Sequence, residues 1–228
     1  MFFQGVNILT VTAPAASYNL IDLATLKADL GITITTDDAF LTNRIASASA
    51  TVANFCNRVF PVETLAWQFF PARDGWPWTV TQDIQPLELP RWPVVQISSV
   101  VETIANVPTT LVAGTDYLAD NVRGQLTRLD IYGKPRRWWP DAVAVAFSAG
   151  YSTVAAPTTG ALALPADVFE AVELLVKNAY YARTRDGAVR SENIPGVISN
   201  SYFSPDAAGG IPADVAARLN QYRVPVVA

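Results

Sequence analysis

The chain has 228 residues, of which 50% are hydrophobic and only 16% charged, with 16 prolines and 12 glycines. That length buries a core without staples, and a charge content below the roughly 25% usual for soluble domains points to a surface that something else covers. A net charge of −4 with no basic run beyond Lys134, Arg136 and Arg137 argues against a duplex-DNA binder, while the absence of histidine and the single Cys56 remove Ser/His and Cys/His catalysis, internal disulfides and thiolate metal clusters.

No stretch reaches the roughly 18 apolar residues of a membrane span. The start, "MFFQGVNILTVTAPAAS", has no basic n-region of a signal peptide. Residues 1–19 are expected to form an irregular arm in a protein that stays in the cytoplasm where it is made.

In chain order, "NLIDLATLKADLGI" predicts a short helix with Asp22 as N-cap, Leu23, Leu26 and Leu30 on one face, and Gly31 as its stop. A long amphipathic helix follows, capped by Thr36 or Asp37. Its stripe is Leu41, Ile45, Ala48, Val52, Phe55, Cys56 and Val59, where Cys56 reads as a small buried hydrophobe. From Pro61 the period shortens: "ETLAWQFF", "PLELP", "VVQISSVVETI", "TTLVA", "DYLAD", "GQLTRLD" and "AVAVAFSAG" predict about six or seven strands. At Leu164 the helical period returns. Pro165 sits near the first turn, and Val168, Val172, Leu175, Val176 and Ala179 form the apolar stripe.

The expected fold is therefore α+β: a helical unit made of residues 20–60 and 152–187, an inserted β-rich domain at 61–151, and an extended C-terminal arm at 188–228. Each terminal helix needs a partner for its apolar face, which is why the two ends should pack together.

Nothing selects an enzyme. Neither GxxxxGK[ST] nor GxGxxG occurs, and the 20 acidic residues show no paired spacing. Asp37 and Asp38 are explained by the helix dipole. No cofactor or metal is expected. Tryptophans cluster in "RDGWPWTV" (Trp76, Trp78) and "GKPRRWWPD", where Arg136 and Arg137 precede Trp138 and Trp139. Three readings stay open for them: plugging the sheet ends, a protein interface, or stacking on sugars or bases.

Taken together, "LIDLATLKADLGI…DDAFLTNRIASASATVANFCNRVF", "LELPRWPVVQISSVV", "DYLAD…GQLTRLD", "WWPDAVAVAFSAGY" and "LPADVFEAVELLVKNAYYAR" resemble the head-tail adaptor (head completion, or connector) proteins of long-tailed bacteriophages and gene transfer agents, over roughly residues 20–204. The resemblance implies a non-enzymatic virion protein assembled in the host cytoplasm. Its partners would be itself, as a dodecameric ring, the portal protein, and the tail or its stopper; DNA would pass through the ring without specific binding, and no membrane would be involved. The simplest members are nearly all helical, so the β block places this chain among larger ones. A carbohydrate-binding β module using the Trp loops is the alternative.

Two segments are candidate partner surfaces. In "VRSENIPGVISNSYFS", broken by Pro195 and Gly196, the residues Ile194, Val197, Ile198, Tyr202 and Phe203 lack a helical or strand period. Leaving them in water costs about 25 cal/mol per Å2 of apolar surface, so the segment is expected to fold against another chain. In the terminal "RLNQYRVPVVA", Tyr222, Val224, Val226 and Val227 form a second candidate arm. Arg136, Arg137, Trp138 and Trp139 complete the expected interface set.

Overall fold

Alternation in "TLAWQFF" and "AVAVAFSA" makes strands with one buried face, and the two pair directly. The computed structural model describes residues 5–71, 86–138, 140–183, 191–194, 198–201 and 211–225. Its strands β1 (Gly5–Ala13), β2 (Glu63–Pro71), β3 (Leu87–Glu88), β4 (Val94–Ile104), β5 (Val107–Thr110), β6 (Tyr117–Asp120), β7 (Gln125–Leu129), β8 (Pro135–Arg136) and β9 (Ala142–Ala149) form two antiparallel sheets. The larger has the order β1-β2-β9-β4-β5; the smaller is β3-β7-β6, with β8 on β7. Helices α1 (Leu23–Leu30), α2 (Asp38–Cys56), α3 (Ala166–Tyr181) and α4 (Ala213–Leu219), and a hairpin of β10 (Ser191–Ile194) and β11 (Ile198–Ser201), complete an α+β fold. The chain divides into two compact units. One comprises residues 1–16, 61–152 and 158–162, the other residues 17–60, 153–157 and 163–228.

In the β unit, Leu65, Trp67 and Phe69 of β2, Val143, Val145 and Phe147 of β9 and Val100 of β4 line one buried face. Leu87, Leu126, Tyr117 and Trp138 join the same core. Trp67 and Phe69 stack at 5.6 Å between centroids. The "LPRWPV" segment makes the corner between the sheets: Leu89 N donates to Gly124 O (2.8 Å), Val94 N to Asn121 O (2.7 Å), and Gly150 N to Pro93 O (2.8 Å). At Gly124, with φ of +67°, a Cβ would come within 3.1 Å of Trp92 Cβ, so the corner requires glycine twice over.

The N-terminal arm departs from expectation, because Gly5–Ala13 is a regular strand antiparallel to β2 with the register Val6↔Phe70, Ile8↔Gln68 and Val11↔Leu65. Its pattern was hard to read from sequence since apolar residues occupy both faces, so no two-residue alternation marks it.

In the helical unit, α2 packs on α3 and α4, and α3 packs on α4. Asp22 caps α1 by accepting from Thr25 N at 3.1 Å, and Gly31 ends it in the left-handed region at φ 67°. Leu41, Ile45, Ala48, Val52 and Cys56 of α2 and Val168, Ala171, Val172 and Val176 of α3 are buried. Leu20 and Ile21, just before α1, are fully enclosed, and Leu20 N donates to the buried Ser49 Oγ at 3.0 Å.

Candidate functional site

In the basic-aromatic segment Arg136 is half-buried, Arg137 exposed and Trp138 buried. Trp138 is only 3% exposed, and its indole N–H donates to Leu126 O at 3.0 Å, satisfying the polar edge of a ring taken into the core. It therefore has no open face for a sugar or a base. Arg136 donates from Nε to Leu129 O at 3.2 Å and lies 3.6 Å from Glu102, whereas Arg137 points to the surface. Trp139, Trp76 and Trp78 lie outside the described residues.

Arg136 borders a buried charged group that the sequence did not single out. Glu102, 3% exposed, accepts from Arg128 Nε and Nη2 at 3.2 and 3.0 Å. Arg128 Nη1 also donates to Asp116 O (2.6 Å) and Leu129 O (3.2 Å). Glu102 sits in "VVETI" where alternation demands an apolar residue, and that break in pattern was the available signal. Burial with such complete pairing of the guanidinium makes the cluster a fixed brace of the sheet.

The same region projects an apolar tip. Between β7 and β8, Ile131 and Tyr132 are 91% and 80% exposed. Asp130 Oδ1 holds the turn by accepting from Tyr132 N (2.9 Å) and Lys134 N (2.8 Å).

In the helical unit, Asp37 precedes α2 as expected, yet its side chain makes no cap bond. It accepts instead from Arg183 Nη1 at 2.5 Å and Tyr180 Oη at 3.0 Å, at the far end of α3. The Arg183 hydrogen bond holds its carboxyl below the usual range, and the Asp37 hydrogen bond raises the Tyr180 phenol in turn. A cap that could be locally satisfied is thus spent on tying the start of α2 to the end of α3. Arg183 also lies over the Phe40 ring at 5.3 Å.

Residues 191–194 and 198–201, expected to be irregular, form strands. β10 and β11 pair antiparallel with the register Ser191↔Ser201, Glu192↔Asn200, Asn193↔Ser199 and Ile194↔Ile198. Pro195 and Gly196, which separate the two strands in the sequence, lie outside the described residues. Ile194 and Ile198 are cross-strand partners. Val197, Tyr202 and Phe203 lie outside the described residues.

The terminal segment is partly folded onto its own unit. Val224 N donates to Cys56 O at 2.9 Å, supplying a donor to one of the orphan carbonyls at the end of α2. Tyr222 Oη donates to Asp167 at 3.2 Å, and Arg223 lies 5.0 Å over Phe55. Burial pushes the Cys56 thiol up to about 11, so it is an inert core group. Val226 and Val227 lie outside the described residues.

Among the described residues no group of His, Cys, Asp and Glu is placed to hold a metal, and no helix is long and apolar enough to cross a membrane. The most exposed apolar strand is β1, whose Val6, Ile8, Leu9 and Val11 are all at least 36% exposed.

Residues 20–89, which run from the start of the helical unit through α1, α2, β2 and β3, match the model of the phage gp6-like head-tail connector proteins. Over those residues the chain is similar to the head-tail connectors. Among solved structures its fold is similar to a chain from the neck of an empty GTA particle determined with C6 symmetry, at 20% identity, covering 97% of each chain, with a TM-score of 0.51. A chain from the neck of a native GTA particle with C12 symmetry (20% identity, 97% of each chain, TM-score 0.49) and one from the virion of a native gene transfer agent particle (18%, 97% of each chain, 0.49) are also similar. No curated protein matches the sequence significantly.

Proposed function

We propose that the connector works as a head-tail adaptor in a virion: a dodecameric ring between the portal and the tail or its stopper, through which DNA passes without specific binding. The observation that carries this reading is the match of residues 20–89 to the head-tail connector model. The neck setting of the similar GTA chain supports it. So does the chemistry of the surface, which has low charge, a net −4 that does not hold DNA, and no histidine for the commonest acid-base work. In this reading the protein acts by geometry alone and is not an enzyme.

Light scattering and negative-stain microscopy of the full chain, alone and mixed with its portal ring, test the proposal. Rings, or a monomer that closes into rings only on the portal, are the expected result. A chain that stays monomeric in both samples overturns it, as does a monomer whose Trp fluorescence is quenched by oligosaccharide. The burial of Trp138 removes one of the aromatic platforms that the sugar-binding alternative needs.

A further inference from the structure

The five-stranded sheet ends in two edges of different character. At β5, Leu111 N bonds Val100 O at 2.8 Å and the register runs Val101↔Thr110 and Thr103↔Pro108. Since antiparallel partners alternate between bonded and non-bonded pairs, positions 108 and 110 turn their backbone groups outward. Pro108 therefore places its missing N–H on the outer edge, a known guard against strand addition.

The β1 edge has no such guard. "GVNILTVTA" contains neither a charged residue nor a proline, and among the described residues no strand pairs with its outer side. Val6 and Ile8 face one side of the sheet, beside Phe70, which is itself 39% exposed; Leu9 and Val11 face the other, beside Trp67 and Leu65. An edge that is apolar on both faces calls for a strand that continues the sheet, because a lid over one face would leave the other bare.

The β10–β11 hairpin has the opposite deficit. Among the described residues no third strand joins it, and two strands alone are marginal in water. Its register pairs Ile194 with Ile198, two apolar residue types like those of β1.

We infer that the β10–β11 hairpin of one copy of this chain adds to the open β1 edge of the next, extending the five-stranded sheet to seven strands across the subunit boundary. The inference rests on the ring reading above and supplies its interface. Edge and hairpin are different patches, so the contact is heterologous, the type that closes rings. It gives Ile194 and Ile198 a partner of defined chemistry, a second copy of the chain.

The test mixes two full-length variants, Thr10→Cys on β1 and Ser199→Cys on β11, under the conditions in which the protein assembles, and treats them with a short bis-maleimide. Cys56 remains in place because its buried, protonated thiol is unreactive. The expected result is a covalent dimer that contains one copy of each variant and is absent from either variant alone. Rings without that mixed product overturn the pairing and leave the ring reading standing. Products from Thr10→Cys alone, or cross-links formed only within a chain carrying both substitutions, also overturn it. Failure of every sample to assemble overturns the ring reading and the pairing with it. As a second arm, Ile8→Lys should keep the native circular dichroism and melting temperature yet lose assembly. Assembly unchanged by Ile8→Lys counts against the inference.

Discussion

The two units hold their ion pairs differently. In the β unit both members of the Glu102–Arg128 pair are buried. In the helical unit each pair has at least one partly exposed member: Lys27–Asp38, Asp37–Arg183, Lys177–Glu173 and Arg218–Glu170. The difference teaches where each unit is brittle. A buried pair is costly when one member is removed, whereas a surface pair fastens two helices that their apolar stripes already hold.

All six tryptophans, at positions 67, 76, 78, 92, 138 and 139, fall in the β unit. Tryptophan fluorescence therefore follows that unit, while circular dichroism at 222 nm follows mainly the helices. The largest effect should come from Phe147→Ala, which empties a fully buried site in β9. It should destabilise the β unit by about 3–5 kcal/mol, moving the fluorescence transition in urea far more than the helical one. Equal displacement of both would break the contrast between the units.

Next in size is Arg128→Met, expected to cost about 3 kcal/mol by leaving the buried Glu102 with only the longer Arg136 contact. The double substitution Glu102→Leu with Arg128→Met should recover most of that loss in the same titration. A single variant with an unchanged fluorescence midpoint would show that the buried pair contributes nothing.

The smallest effect belongs to Asp37→Asn in the helical unit. Because the folded state lowers the Asp37 carboxyl pKa, its contribution is present above the unfolded value of about 3.9 and is lost as pH falls through the lower folded value. Wild type should melt above the variant at neutral pH by circular dichroism, and the gap should close in acid. A gap that stays constant down to strong acid would show that Asp37 acts without its charge.

Local signals were legible in the sequence. Asp22 and Gly31 bound α1 because capping depends on neighbours three residues away, and the stripes of α2 and α3 mark their buried sides by period alone. What escaped depends on partners distant in the chain. Asp37 looks like a cap until Arg183 arrives, Trp138 looks like a surface aromatic until Leu126 O accepts its N–H, and Glu102 reads as a strand charge until Arg128 meets it. β1 escaped for a different reason: both of its faces are apolar, so the alternation that identifies half-buried strands is missing. The pairing of 191–194 with 198–201 did not show in any period, because four-residue strands are too short to carry one.

Pro108 replaces one backbone donor with a ring carbon, and the consequence is polarity of growth. A sheet that is open at both ends can lengthen indefinitely by stacking copies edge to edge, as fibres do. With one end blocked, extension is confined to the β1 side, and copies cannot meet through two bare β5 edges. A single residue thereby biases the chain away from open-ended aggregation and toward assemblies with a direction.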